Sequence, residues 1–186
     1  MSTSYIAIFP KNPLLSNPKK IEVIHKLKEI GFIHEIDFEW LNPENGIEER
    51  YFRPGSTFLE YFNLFANAEI NEQKLQNVLI NYKEHDKIEA EFYAEGDFLI
   101  FNQQTGSILE TSWSDELGEF LEDNNHKWTD PLDKKEYYFF ELECTDLGLG
   151  KHFLTIEDGF GEPNIKLMEL MKIITGNEYK WMWSKI

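Results

Sequence analysis

An α+β fold, one domain over residues 1–186 with a largely antiparallel sheet packed by several helices, is predicted by three features of the chain. Several short stretches alternate apolar and charged residues, as half-buried antiparallel strands do. Stretches with helical spacing fall between them without the regular strand–helix–strand rhythm of a parallel sheet. No internal repeat or low-complexity linker divides the chain, and 41% hydrophobic with 15% aromatic residues supplies core material despite a net charge of −16.

Taken in order, Tyr5–Phe9 reads as an apolar strand. Asn17 and Pro18 then suit a helix start ahead of Ile21, Ile24, Leu27 and Ile30, with Gly31 as the stop. His34, Ile36, Phe38 and Trp40 alternate with Glu35, Asp37 and Glu39, so Trp40 is expected in the core and the carboxylates on the other face. Asn42–Gly55, with Asn45–Gly46, reads as a loop or loose hairpin. Thr57 and Glu60 form a capping-box pattern before a helix presenting Phe58, Tyr61, Phe62 and Phe65, and a further helix from Asn71 to His85 buries Leu75, Val78, Leu79 and Tyr82. Lys87–Tyr93 returns to strand alternation.

Asp97–Phe101 and Ser107–Glu110 flank Asn102–Gly106 as a hairpin. Ser112 or Ser114 caps a short acidic helix with Leu117, Phe120 and Leu121 inward. Glu122–Asp133 reads as a polar connection containing Trp128 and Pro131, and Glu136–Cys144 as one long strand. Another strand covers His152–Ile156. Asp158–Pro163 forms a turn, Leu167, Leu170, Met171 and Ile174 align on a last helix stopped by Gly176, and Tyr179–Trp183 closes the fold.

Charge is unevenly distributed. Residues 1–28 hold five lysines against one glutamate, and residues 163–186 hold four lysines against two, so the middle of the chain carries about −22. From Ile88 to His126 there is no Lys or Arg, yet ten carboxylates. Such acidity excludes direct binding to nucleic acid or anionic lipid, which are held by Lys and Arg, and favours a basic protein as partner. The single Cys144 forms no internal disulfide and suits a reducing compartment. With no secretory leader pattern and no membrane-length apolar run, the protein is expected to be soluble and cytoplasmic.

Sites of reaction chemistry find little support. Leu147–Gly–Leu–Gly–Lys151 lacks the spacing of a phosphate-binding loop, and Phe153 stands where a dinucleotide fingerprint needs glycine. Cys144 falls on the apolar side of its strand pattern, strand alternation separates His34 from Glu35 and Asp37, and no serine has a nucleophile-elbow context. Asp158–Glu162 lacks the ligand positions of a calcium loop. No catalytic residue, cofactor or metal is expected.

The acidic strand faces are the recurrent feature. Glu89 and Glu91, and Glu141 and Glu143, would line strand faces, joined by a helix bearing Asp115, Glu116, Glu119, Glu122 and Asp123. Repulsion along such a surface would be relieved by a cationic partner. Charge sets encounter and specificity, so buried anchors are also needed, and Trp113, Trp128, Tyr137 and Phe139 are the aromatic candidates beside it.

Pro54–Gly–Ser–Thr–Phe–Leu–Glu–Tyr–Phe62, Gly96–Asp–Phe–Leu–Ile–Phe–Asn102, Thr105–Gly–Ser–Ile108 and Leu117–Gly–Glu–Phe–Leu121 resemble the SUKH superfamily of bacterial toxin-immunity proteins over roughly residues 54–121. Asn67–Ala68 stands where that family usually has a glycine-rich step, and the last 60 or so residues have no counterpart in it. The resemblance implies a cytoplasmic, non-enzymatic antitoxin that binds a cognate toxin domain, with no universal inhibitory residue. An enzyme or small-ligand protein with a carboxylate–aromatic cleft, and an acidic adaptor or nucleic-acid mimic, are the alternatives.

Overall fold

The computed structural model describes residues 4–41, 48–66, 70–92, 99–109, 113–144, 147–157 and 161–185. In chain order the elements are β1 (Ser4–Pro10), α1 (Lys20–Glu29), β2 (Ile33–Leu41), β3 (Glu48–Pro54), β4 (Phe62–Leu64), α2 (Glu72–Leu75), β5 (Leu79–Phe92), β6 (Ile100–Phe101), α3 (Trp113–Glu122), β7 (Lys127–Thr129), β8 (Glu136–Tyr138), β9 (Glu143–Cys144), β10 (Leu147–Glu157), β11 (Gly161–Pro163), α4 (Ile165–Thr175) and β12 (Tyr179–Lys185). Six strands form one sheet in the order β12-β1-β10-β5-β3-β2, and every pairing in it is antiparallel. The fold is α+β, as the alternation of the strands predicts.

One face of this sheet presents Ile6, Ile8, Ile80, Tyr82, Leu154 and Ile156 to a core completed by α1 and α4. Lys26 Nζ donates to the carbonyl of Ile174 at 3.3 Å, tying the two helices together, while β1 pairs with β12. The two basic ends of the chain are therefore neighbours in space.

β5 and β10 run on into a second core. His152 opposes Glu84 and Gly150 opposes Glu89, so four residues of β5, His85–Ile88, stand against Lys151 alone. Beyond this bulge, Ile88, Leu147 and Leu149 pack with Leu117 and Phe120 of α3 and with Leu142. A Cβ on Gly148 would lie 2.8 Å from a ring carbon of Phe9, which explains the glycine as space for that ring. The segment 147–151 is strand, and its glycines serve packing.

Several expected elements differ. α1 starts at Lys20 and buries Val23 and Leu27, leaving Ile21 exposed; Glu84 Oε2 accepts the Lys20 N–H at 3.1 Å where an Asn17 cap was expected. Asn17 donates instead to Tyr179 Oη at 2.7 Å. The Pro-led aromatic helix is only a 3-10 turn, Phe58–Tyr61, with Phe62 passing into β4; the Thr57 hydroxyl donates to the Ile30 carbonyl and caps nothing.

The helix expected over 71–85 stops after one turn. Val78, Ile80 and Tyr82 also fit a period of two, and pairing with β10 and β3 selects the strand. Glu136–Cys144 is broken by a 3-10 turn at Phe139–Glu141, and the connection 122–133 contains the strand β7. Cys144 is half-buried beside the second core.

In β2 the register shifts between Ile33 and Ile36, and His34 and Glu35 are both exposed, so strict alternation does not hold there. The Asn45–Gly46 turn, Ser112 and Asp158–Phe160 lie outside the described residues, as do the side chains of Ile36 to Trp40.

Candidate functional site

The second core positions a surface built mainly by α3. Burial of Leu117 and Phe120 turns Asp115, Glu119 and Glu122 outward, and these follow one another at i, i+4 and i+7 along one stripe. None of the three has a cationic partner among the described residues. Like charges at these spacings cost about 0.2–0.5 kcal/mol per pair. Glu119 and Glu122 also lie in the last turns, where the helix dipole is negative and cations are favoured; the last turn of α3 holds no basic residue. Both effects thus disfavour Glu119 and Glu122, whereas Asp115, in the first turn, is favoured by the dipole.

The remaining carboxylates of this segment have structural partners. Glu116 Oε2 lies 2.8 Å from His126 Nε2, and Asp123 Oδ1 accepts the Asn125 backbone N–H at 3.0 Å, fixing the turn after the helix.

Beside α3, Tyr138 and Phe140 stack with ring centroids 5.2 Å apart and 11° between planes, and Phe140 reaches Phe120 at 6.0 Å. Both stacked rings are partly exposed. Lys127 Nζ sits 4.6 Å over the Tyr138 ring, and Glu141 Oε2 accepts the Tyr138 N–H at 2.8 Å, so the Glu141 carboxylate is committed to holding the turn that presents the stack. Leu132, at the tip of the neighbouring β7–β8 connection, is 67% exposed.

Buried Asp130 holds that connection in place. Its carboxylate accepts from Ser107 Oγ at 2.6 Å, Thr105 Oγ1 at 2.6 Å, Asn102 Nδ2 at 2.8 Å and the Leu132 N–H at 2.7 Å. Burial alone would raise its pKa, but these four donors outweigh it and hold the carboxyl well below its usual range. The Asn102–Gly106 hairpin is the predicted one, with Gly106 at φ 75° and its N–H bonded to the Asn102 carbonyl.

Several expected partner-binding residues are placed elsewhere. Trp128 and Phe139 are 8% and 3% exposed and belong to the second core, so neither is a surface anchor. Tyr137 is partly exposed and packs against the same core, as Tyr138 and Phe140 do, but its hydroxyl is committed to Asp133, to which it donates at 2.8 Å. Glu89 and Glu91 point to the face of β5 opposite Ile88, and Glu91 is paired with Lys83 at 2.9 Å. Glu143 is exposed on β9, which pairs with β6 in a separate two-stranded sheet. The expected carboxylate ladder across neighbouring strands is therefore absent among the described residues. The side chain of Trp113 lies outside them.

Tyr138, Phe140 and Leu132 were missed. Four successive aromatics, Tyr137–Phe140, satisfy a strand with either face inward, and the 3-10 turn that buries Phe139 and leaves the other three partly exposed has no glycine or proline to announce it.

Among the described residues, no cluster of three or more His, Cys, Asp and Glu could hold a metal, and no helix is long and apolar enough to cross a membrane. No family model, curated protein or solved structure matches this chain.

Proposed function

We propose that this protein is a non-enzymatic inhibitor that covers the functional surface of a basic, nuclease-type toxin domain. One observation carries the reading: the Asp115–Glu119–Glu122 stripe is unpaired among the described residues, its two glutamates are unfavourable to the end of their own helix, and the opposite face of that helix contacts a partly exposed aromatic stack through Phe120 and Phe140. Carboxylates in that arrangement would occupy the place of substrate phosphates, while Tyr138, Phe140 and Leu132 remove water from the centre of the contact. The resemblance to immunity proteins over roughly residues 54–121 supports the same reading and suggests a toxin delivered by a neighbouring cell. Purification of the tagged full chain from its source cells, at low and moderate salt with mass spectrometry, tests it. The expected result is one basic domain retained at moderate salt in roughly one-to-one ratio, whose activity falls on addition of the chain. Recovery of only salt-labile mixed basic proteins would overturn it.

A further inference from the structure

The buried residues of the second core all fall between residues 88 and 149, whereas those of the first fall at residues 6–82 and 154–179. The chain therefore enters the second core along β5 and leaves it along β10, and both crossings lie at the bulge, His85 on one strand and His152 on the other. Each ring packs across the ladder: His85 meets Phe153 edge-on and His152 meets Tyr82, both with centroids 6.0 Å apart. His85 Nε2 and His152 Nδ1 are buried without a hydrogen-bond partner. A neutral imidazole tolerates that, since the inward nitrogen can be the one without a proton, but an imidazolium has a donor at both nitrogens and leaves one buried and unmet. The carboxylates nearby are engaged: Glu84 accepts the Lys20 N–H, Glu91 pairs with Lys83 at 2.9 Å, and Glu89 lies 3.8 Å from Lys87. Positive charge also stands beside each ring, Lys151 and His85 facing His152, and Lys83 and Lys20 facing His85; Asp86 and Lys87, in the bulge itself, are exposed. Burial holds both rings below their ordinary 6.5, so the protons arrive as pH falls beneath that value.

We propose that this bulge is a proton-operated hinge: on protonation of His85 and His152 the ladder parts there, and the half of the molecule that carries α3 swings as a unit against the half that holds α1 and α4. The register is already interrupted between Gly150 and His152, so the ladder is weakest at this point. Opening brings water to both imidazolium rings while each core keeps its own packing. A further contact across the joint, the Phe9 ring against Gly148, is apolar and permits sliding. The hinge sets how α3 is held against the first core and stands apart from what α3 binds.

Amide hydrogen exchange of the full chain at pH 7.5 and 5.5, expressed as protection over the intrinsic rate at each pH, tests the hinge. Amides of residues 84–89 and 150–152 should lose at least tenfold more protection at pH 5.5 than those of residues 80–82 and 154–156 in the first core or 117–121 in α3. His85→Gln and His152→Gln, made singly, each supply a side chain that takes up no proton and should cut that difference at least threefold. His34→Gln, at an exposed position on β2, should leave it unchanged. An equal change throughout, none included, would overturn the proposal, as would the full difference persisting in both variants at the bulge. The wild-type profile decides by itself where a variant fails to fold. No partner enters the experiment, so its outcome is separate from that of the inhibitor reading.

Discussion

Ser107 Oγ donates to Asp130 Oδ1 at 2.6 Å, joining the Asn102–Gly106 hairpin to the β7–β8 connection through a buried carboxylate. Three further donors converge on the same group, so its ionised form is what the fold requires. Ser107→Ala is expected to lower Tm by ~2–6 °C, and Asp130→Asn by more, because its amide nitrogen would face other donors. Thermal unfolding followed by circular dichroism checks both.

The acid limb of stability follows from the same network. The folded-state pKa of Asp130 lies below its ordinary value of 3.8, so its contribution is complete above that pH and is lost as pH falls below it. Urea midpoints measured from pH 5 to pH 2 should drop steeply in the wild type and less in Asp130→Ala, whose curve starts lower.

A second pH effect arises at the bulge between β5 and β10. Burial lowers the pKa of His152 and of His85 below the ordinary 6.5, against the opposing pull of Glu84 on the first and of Glu89 and Glu91 on the second. Both nitrogens that face inward, His152 Nδ1 and His85 Nε2, meet no hydrogen-bond partner. The fold therefore prefers the neutral rings, and stability present above pH 6.5 declines as pH falls through the lowered values. Denaturation at pH 7.5 and 5.5 should show the loss, and His152→Gln should reduce it.

Gly148→Ala places a methyl group 2.8 Å from the Phe9 ring. The expected cost is about 1–3 kcal/mol, recovered in part by Phe9→Leu, which gives the methyl room. A double-mutant cycle by urea denaturation measures the coupling; strict additivity would remove the explanation for this glycine.

Which parts of the fold were legible follows from how many constraints each sequence signal carried. α4 combined a helical stripe of Leu167, Leu170, Met171 and Ile174 with a stop at Gly176, which takes φ 81°, and the helix forms there, although it starts at Ile165 behind an Asn164 cap and the proline expected to open it, Pro163, ends β11. The Asn102–Gly106 hairpin had polar turn residues and Gly106 to the same effect. The segment 71–85 was ambiguous, since Val78, Ile80 and Tyr82 serve a strand as well as Leu75, Val78 and Tyr82 serve a helix, and only the pairing with β10 decides. Of the candidate surface, Asp115, Glu119 and Glu122 were found because helical spacing places them opposite Leu117 and Phe120. The aromatic stack was not, because its exposure depends on a turn at Phe139–Glu141 held by the Glu141 carboxylate.

Asp115→Lys, Glu119→Lys and Glu122→Lys combined offer the most direct measurement, comparing the triple variant with the wild type for binding to the captured basic domain by surface plasmon resonance at two salt concentrations. If the stripe exists for a partner, affinity should fall at least ~100-fold, mostly through slower association. Tm should stay within about 1–3 °C of the wild type, since Glu119→Lys and Glu122→Lys suit the negative end of α3 while Asp115→Lys opposes the dipole at its first turn. Affinity within twofold of wild type, with the fold intact, would contradict the account.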